Sequence, residues 1–168
     1  MSVDALPRAA RAFRETLARL EIEGEPGLGD PGAFGRRAAI LAAADVLWRR
    51  RLGRLLTSEE VRQVLGVGTR QAVSDFVKRR RLLAIRGADG RLLFPAFQFS
   101  ATGRPLPALE AILAAFARAG VDELTVGSWF TSPQDLLEGR TPADWLQSGG
   151  ADALVIEAAR RTASELAH

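Results

Sequence analysis

The 168-residue chain contains no cysteine and no tyrosine, and its single histidine is the last residue, His168. Without cysteine it forms neither disulfides nor thiolate metal sites, and a reducing cytoplasm is the expected setting. One histidine at a chain end, where order is least, gives no basis for a zinc site or a Ser/Cys–His nucleophile. Long hydrophobic runs are missing too. The most apolar stretch, "AAILAAADVLW" from Ala38 to Trp48, is interrupted by Asp45 and is far shorter than the roughly 20 apolar residues of a membrane span. Neither paired acid/base carboxylates nor a phosphate-binding glycine loop is visible, so no catalytic residue, metal or cofactor is expected. The opening "MSVDALPRAARAFRETLARL" is Arg- and Ala-rich, but Asp4 and Glu15 favour a plain amphipathic helix over a transit peptide.

Lysine is also scarce: Lys78 is the only one, and arginine supplies almost all the positive charge. A hydrophobic content of 47% with 26% charged residues reads as a globular chain able to bury a core. The formal net charge of +3 is unevenly spread. Residues 49–91 hold 12 Lys/Arg against 4 Asp/Glu, a local +8, while residues 92–168 hold 5 against 9. A basic middle beside an acidic C-terminal part implies a localised polyanion site and a second surface of different charge.

Within the basic middle, Thr57 and Glu60 form a T-x-x-E capping box that opens a helix. Val61, Val64 and Leu65 follow at one-face spacing, and Gly66-Val67-Gly68 breaks the helix. Thr69 caps the next helix, with Ala72, Val73, Phe76 and Val77 inward and Arg70, Gln71, Ser74, Asp75, Lys78 and Arg79 outward. Two short helices around a glycine turn predict a helix-turn-helix. Its second helix presents Arg70, Gln71 and Ser74 where base edges are read; Arg suits guanine and Gln suits adenine. Thr69 at the cap and the run Lys78, Arg79, Arg80 and Arg81 complete the DNA-facing set on this element. A helical hairpin with a polar outer face would share the same periodicity.

The following "LLAIRGADGRLLFPAFQF" predicts a β-hairpin turning at Asp89-Gly90, with Ala88 opposite Arg91 and Ile85 opposite Phe94. As a wing it would set Arg86 and Arg91 beside its tip, in reach of phosphate or the minor groove. Upstream, Gly35–Gly53 predicts a helix with Ile40, Ala44, Leu47 and Trp48 on one side, preceded by the linker-like "EIEGEPGLGDPG".

Arg104-Pro105-Leu106-Pro107 punctuates the chain. Beyond it, a helix carrying Leu109, Ile112, Leu113 and Phe116 ends near Gly120. Asp122 caps a short helix with Trp129 and Phe130, Thr141-Pro142 opens one with Trp145 and Leu146, and a last helix spans about 152–166 with Leu154, Ala158 and Thr162 at i+4 spacing. Trp129 and Trp145 fit either core filling or an interface.

The stretch "WFTSPQDLLEGRTPADWLQSGG" resembles the signature of the Xre/MbcA/ParS-like antitoxin toxin-binding domain, through Trp129, Pro133, Leu137, Gly139, Arg140, Thr141, Pro142, Trp145, Leu146 and Gly149. That pattern often has Asn after the proline and a double glycine before the Arg; Gln134 and Glu138 stand there instead. The stretch "RQAVSDFVKRRRLLAIRGADGRLLFPAFQF" is also similar to the DNA-binding half of some members, so the likeness covers about residues 55–166. The resemblance implies a type II antitoxin that neutralises an NAD-consuming RES-domain toxin through its C-terminal region and represses its own operon by binding operator DNA as a homodimer. The toxin-binding set it suggests is Trp129, Arg140 and Trp145, to which the polar face of the last helix adds Arg160 and Arg161.

The expected architecture is therefore mainly α: residues 1–34 a helical arm and linker, 35–103 a winged helix-turn-helix DNA-binding domain with a small β-hairpin wing, and 104–168 a compact helical toxin-binding domain. The rival reading is a stand-alone winged transcriptional regulator whose C-terminal helices dimerise or sense an effector.

Overall fold

The computed structural model describes residues 5–19, 30–87 and 89–167. The expected linker falls mostly outside these residues, as do Ala88 and His168, and so do the side chains of Ile40, Ala44 and Leu47. The chain forms two compact units, residues 1–43 and 44–168. In the first, α1 spans Ala5–Arg19, and α2, Pro31–Leu52, begins. Asp30 starts α2: its carboxylate accepts from the Ala33 N–H at 2.6 Å, and Pro31 takes the first helical position. The rings of Phe13 and Phe34 stack with centroids 6.2 Å apart, joining α1 to the start of α2.

The second unit is mainly helical with one small antiparallel sheet. After α2 come β1 (Leu55–Thr57), α3 (Ser58–Leu65), α4 (Arg70–Lys78), β2 (Ile85–Arg86) and β3 (Leu92–Pro95). A 3-10 turn at Ala96–Gln98 leads on to α5 (Leu109–Arg118) and α6 (Glu123–Phe130). A second 3-10 turn at Asp135–Leu137 precedes α7 (Pro142–Gln147) and α8 (Asp152–Leu166).

The expected caps are formed. Thr57 Oγ1 accepts from Glu60 N at 3.2 Å while the Glu60 carboxylate accepts from Thr57 N at 2.7 Å, closing the capping box. The Thr57 backbone N–H and hydroxyl hold the Glu60 carboxyl below its ordinary range. Thr69 accepts from Ala72 N at 3.2 Å and Thr141 from Asp144 N at 3.1 Å. Asp122 accepts from Leu124 N and Thr125 N, both at 3.0 Å, and from Thr125 Oγ1 at 2.6 Å; these bonds, led by the Thr125 hydroxyl, lower its carboxyl as well. Such caps satisfy N–H groups that the helix itself leaves unpaired.

The sheet order is β1-β3-β2. Strand β1 was not expected: at three residues it is too short for an alternation to register. The hairpin register differs from the expected one by a residue. Ile85 pairs with Leu93, not Phe94, and Arg86 with Leu92. The cause is the turn. Gly87 N donates to Arg91 O at 2.8 Å and Gly90 N to Gly87 O at 2.9 Å, with Gly90 left-handed at φ 77°. A left-handed glycine closing a three-residue loop adds one residue over the two-residue turn.

Two helix faces also differ from expectation. Val61 of α3 is fully buried, but Val64 is 38% exposed. On α8 the buried stripe is Val155, Ala158, Ala159 and Ala163, one step round from the expected Leu154, which is 42% exposed. The core of this unit is one continuous cluster from Leu52 to Ala163, and it includes Phe94, Leu106, Phe116, Phe130 and Val155. Sheet, helix pair and C-terminal helices therefore share a single interior. Gly127 of α6 marks a close approach: a Cβ there would lie 2.9 Å from Leu52 Cδ2 and 3.1 Å from Ile85 Cδ1.

Candidate functional site

The polar face of α4 begins at Thr69, whose hydroxyl serves as the helix cap. Arg70 and Gln71 follow in the first turn, both exposed, while Ser74 is half-buried. Gln71 Nε2 donates to Asp75 Oδ1 at 3.0 Å, which holds the amide along the helix face. Lys78, Arg79, Arg80 and Arg81 close the helix and are all exposed.

The end of α4 explains how three arginines fit a tight turn. Arg80 N donates to Val77 O at 2.9 Å and Arg81 N to Phe76 O at 2.8 Å, the paired bonds of a Schellman motif. The first of these two donors must be left-handed, and Arg80 takes φ 55°. Glycine is the usual occupant; a side chain there costs on the order of 1 kcal/mol. The hydrophobic contact that normally completes the motif is supplied by Arg81, whose guanidinium carbon lies 4.8 Å from the Phe76 ring centroid.

On the hairpin, Arg86 Nη1 donates to Gly90 O at 2.9 Å and steadies the turn, while Arg91 Nε lies 3.6 Å from Asp89 Oδ2. Both side chains are exposed. Several cations of the basic middle have carboxylate partners: Arg62 with Glu59 at 2.6 Å, Arg54 with Glu60 at 3.5 Å and Arg81 with Glu110 at 3.7 Å. Among the described residues, Arg70, Lys78, Arg79, Arg80 and Arg86 enter no ion pair. The sequence reading did not single out Glu110, which lies 29 positions beyond Arg81 with no local pattern linking them. Nor did it single out Arg51, whose guanidinium donates to Ser132 Oγ at 2.7 Å.

The C-terminal candidates separate into interior and surface. Trp129 is 5% exposed and sits edge-on to Phe116 and Phe130, at centroid distances of 5.1 and 5.2 Å. Its Nε1 donates to Thr162 Oγ1 at 3.2 Å, linking α6 to α8. Trp145 is half-buried and its Nε1 donates to Ala151 O at 3.3 Å, bridging α7 and α8. Arg140 lies over that ring at 5.4 Å and donates to Asp144 O at 3.1 Å and Ser148 Oγ at 2.7 Å, binding the far end of α7. Gly150 has to be glycine, because a Cβ there would collide with the Trp145 indole. Glu138, where the resembling pattern often has glycine, is left-handed at φ 57° and is followed by left-handed Gly139, so the turn is kept at the cost of strain. Arg160 and Arg161 are exposed on α8, with Arg161 Nε 3.2 Å from Glu165 Oε1. Trp129 thus belongs to the interior, Trp145 to the α7–α8 joint, Arg140 to the exposed side of α7, and the last two arginines to the surface.

No helix among the described residues is long and apolar enough to cross a membrane, and no cluster of His, Asp or Glu there could hold a metal ion. No protein-family model and no curated protein matches the chain. A solved structure, "NMR structure of Rv2175c", is similar over 66% of this chain and 81% of its own, at 22% identity and a TM-score of 0.57. At that identity the likeness is one of fold, a mainly helical chain with a small antiparallel sheet.

Proposed function

We propose that residues 44–168 bind duplex DNA, with α3 and α4 as a helix-turn-helix and the β2–β3 hairpin as its wing. The element order helix, strand, helix, helix and two-stranded hairpin suits that assignment. The observation that carries it is α4 itself: Arg70 and Gln71 stand exposed in its first turn, and Lys78, Arg79 and Arg80 at its end enter no ion pair among the described residues. Side chains near the N-terminus of such a helix read base edges, and the cations at its end meet phosphates. Replacing Arg79 and Arg80 together by alanine is expected to weaken binding to every duplex and to flatten the plot of log affinity against log salt by about 1.8, roughly 0.9 for each phosphate contact. Replacing Arg70 or Gln71 should instead relax preference among sequences, by about 1–3 kcal/mol at one base pair. Fluorescence anisotropy on operator and random duplexes separates the two patterns, and equal losses on both duplexes for both groups would refute the recognition helix.

The C-terminal helices then serve as the neutralising part of a type II antitoxin directed at a RES-domain toxin, with operator DNA and a second copy of the chain as further partners. That half of the proposal is supported by the resemblance across residues 129–150 and by the surface of α8, on which Arg160, Arg161, Leu154 and Leu166 are all exposed. Co-expression with the product of the adjacent gene is its test. Rescue of growth and co-purification support it; a harmless neighbour, or one that does not bind, leaves a DNA-binding regulator alone.

A further inference from the structure

Arg81 differs from the other cations at the end of α4. Its guanidinium rests on the Phe76 ring at 4.8 Å, and its Nε lies 3.7 Å from Glu110 Oε2 in the first turn of α5. Phe76 belongs to the helix that Arg81 follows; Glu110 belongs to the C-terminal helices. Arg81, Glu110, Phe76, Val64, Arg104 and Pro105 line one open groove of about 510 Å³. The side chains of Arg81 and Glu110 are 49% and 65% exposed, so solvent screens the pair and either partner can exchange.

We infer that Glu110 is an affinity-determining residue of the basic turn: its carboxylate occupies Arg81 and withholds that guanidinium from the DNA phosphates. The inference rests on the DNA-binding reading. The carboxylate competes with phosphate for the guanidinium. That competition does not depend on base sequence, so Glu110 lowers affinity for all duplexes alike. Phe76 keeps Arg81 beside the helix end while the partner changes, since a cation over a ring face needs no charge exchange to remain there.

The test compares wild type, Glu110→Gln, Arg81→Ala and the double variant on a random-sequence duplex over a range of salt concentrations. Glu110→Gln is expected to bind about two- to fivefold tighter at low salt, the scale of an exposed ion pair. Its salt slope should steepen by about 0.9, one added phosphate contact. In the Arg81→Ala background the same replacement should give neither change. Both side chains are largely exposed, and matched thermal melts will establish that all four proteins fold. A gain that persists without Arg81 would show a bulk charge effect and overturn the inference, as would equal affinity and slope for wild type and Glu110→Gln. No binding by any of the four would overturn the DNA-binding reading, and this inference with it.

Discussion

Gln98→Ala is expected to lower the unfolding free energy by about 3–5 kcal/mol, the summed cost of orphaned backbone groups and a small cavity. Gln98 is fully buried, and it is the one polar side chain in that class among the described residues. Its Oε1 accepts from Leu83 N at 2.8 Å, and its Nε2 donates to Leu83 O and Pro95 O, both at 3.0 Å. The amide thus serves three main-chain groups and ties the segment after α4 to the end of β3. Alanine leaves each of them without this partner in an interior that holds Leu82, Leu83 and Phe94. A domain of this size is stable by about 5–15 kcal/mol, so the loss is a large share of the total. Gln98→Glu should be nearly as damaging at neutral pH, since a carboxylate can accept from Leu83 N but cannot donate to the two carbonyls. Part of that loss should return in acid, where a protonated carboxyl donates one hydrogen bond. Urea denaturation at two pH values provides the measurement; a loss under about 1 kcal/mol for alanine would mean that those groups have other partners.

What the sequence made legible follows from how local each signal is. The caps at Thr57, Thr69, Asp122 and Thr141 are three- or four-residue devices, and all form as read. The hairpin was legible as a hairpin, but its register hinges on whether Gly90 belongs to a two-residue turn or closes a longer one, and both fit the same residues. Periodicity placed α3 and α8 but erred on one residue in each, because Val64 and Leu154 lie at the edge of an apolar stripe where a step of 100° moves a side chain from core to solvent. Gln98 in "FPAFQFS" gave no signal at all, since a glutamine that bonds main chain 15 positions away looks like any surface glutamine. For the same reason, the basic run was visible as charge while the pairing of Arg81 with Glu110 was not. Whether each tryptophan was core or interface was likewise beyond a linear reading, because the answer for Trp129 lies in side chains brought together from α5, α6 and α8.

For Trp129 that answer carries the second large effect. Trp129→Ala should destabilise the protein by about 3–5 kcal/mol, as expected for removing a buried aromatic ring. The ring fills the space between Phe116 of α5 and Phe130 of α6, and its indole N–H reaches Thr162 of α8, so one truncation loosens three helices. Trp129→Phe keeps most of the edge-to-face packing and gives up the hydrogen bond, which should reduce the loss to about 1–2 kcal/mol. Trp145→Ala should also cost less than Trp129→Ala, because its half-buried ring gives up less contact along with the bond to Ala151. The ordering matters for any partner assay. A Trp129→Ala protein that fails to capture a toxin fails because its C-terminal helices are loosened, and the same assay on Trp129→Phe should restore capture. Arg160→Ala with Arg161→Ala, by contrast, alters the α8 surface without touching the core and should leave the melting temperature within a few degrees of wild type, as about 0.5 kcal/mol implies. Thermal melts run beside the capture assay decide the matter: a Trp129→Ala protein as stable as wild type would refute the core role, and capture lost by Trp129→Phe at unchanged stability would return this ring to the interface.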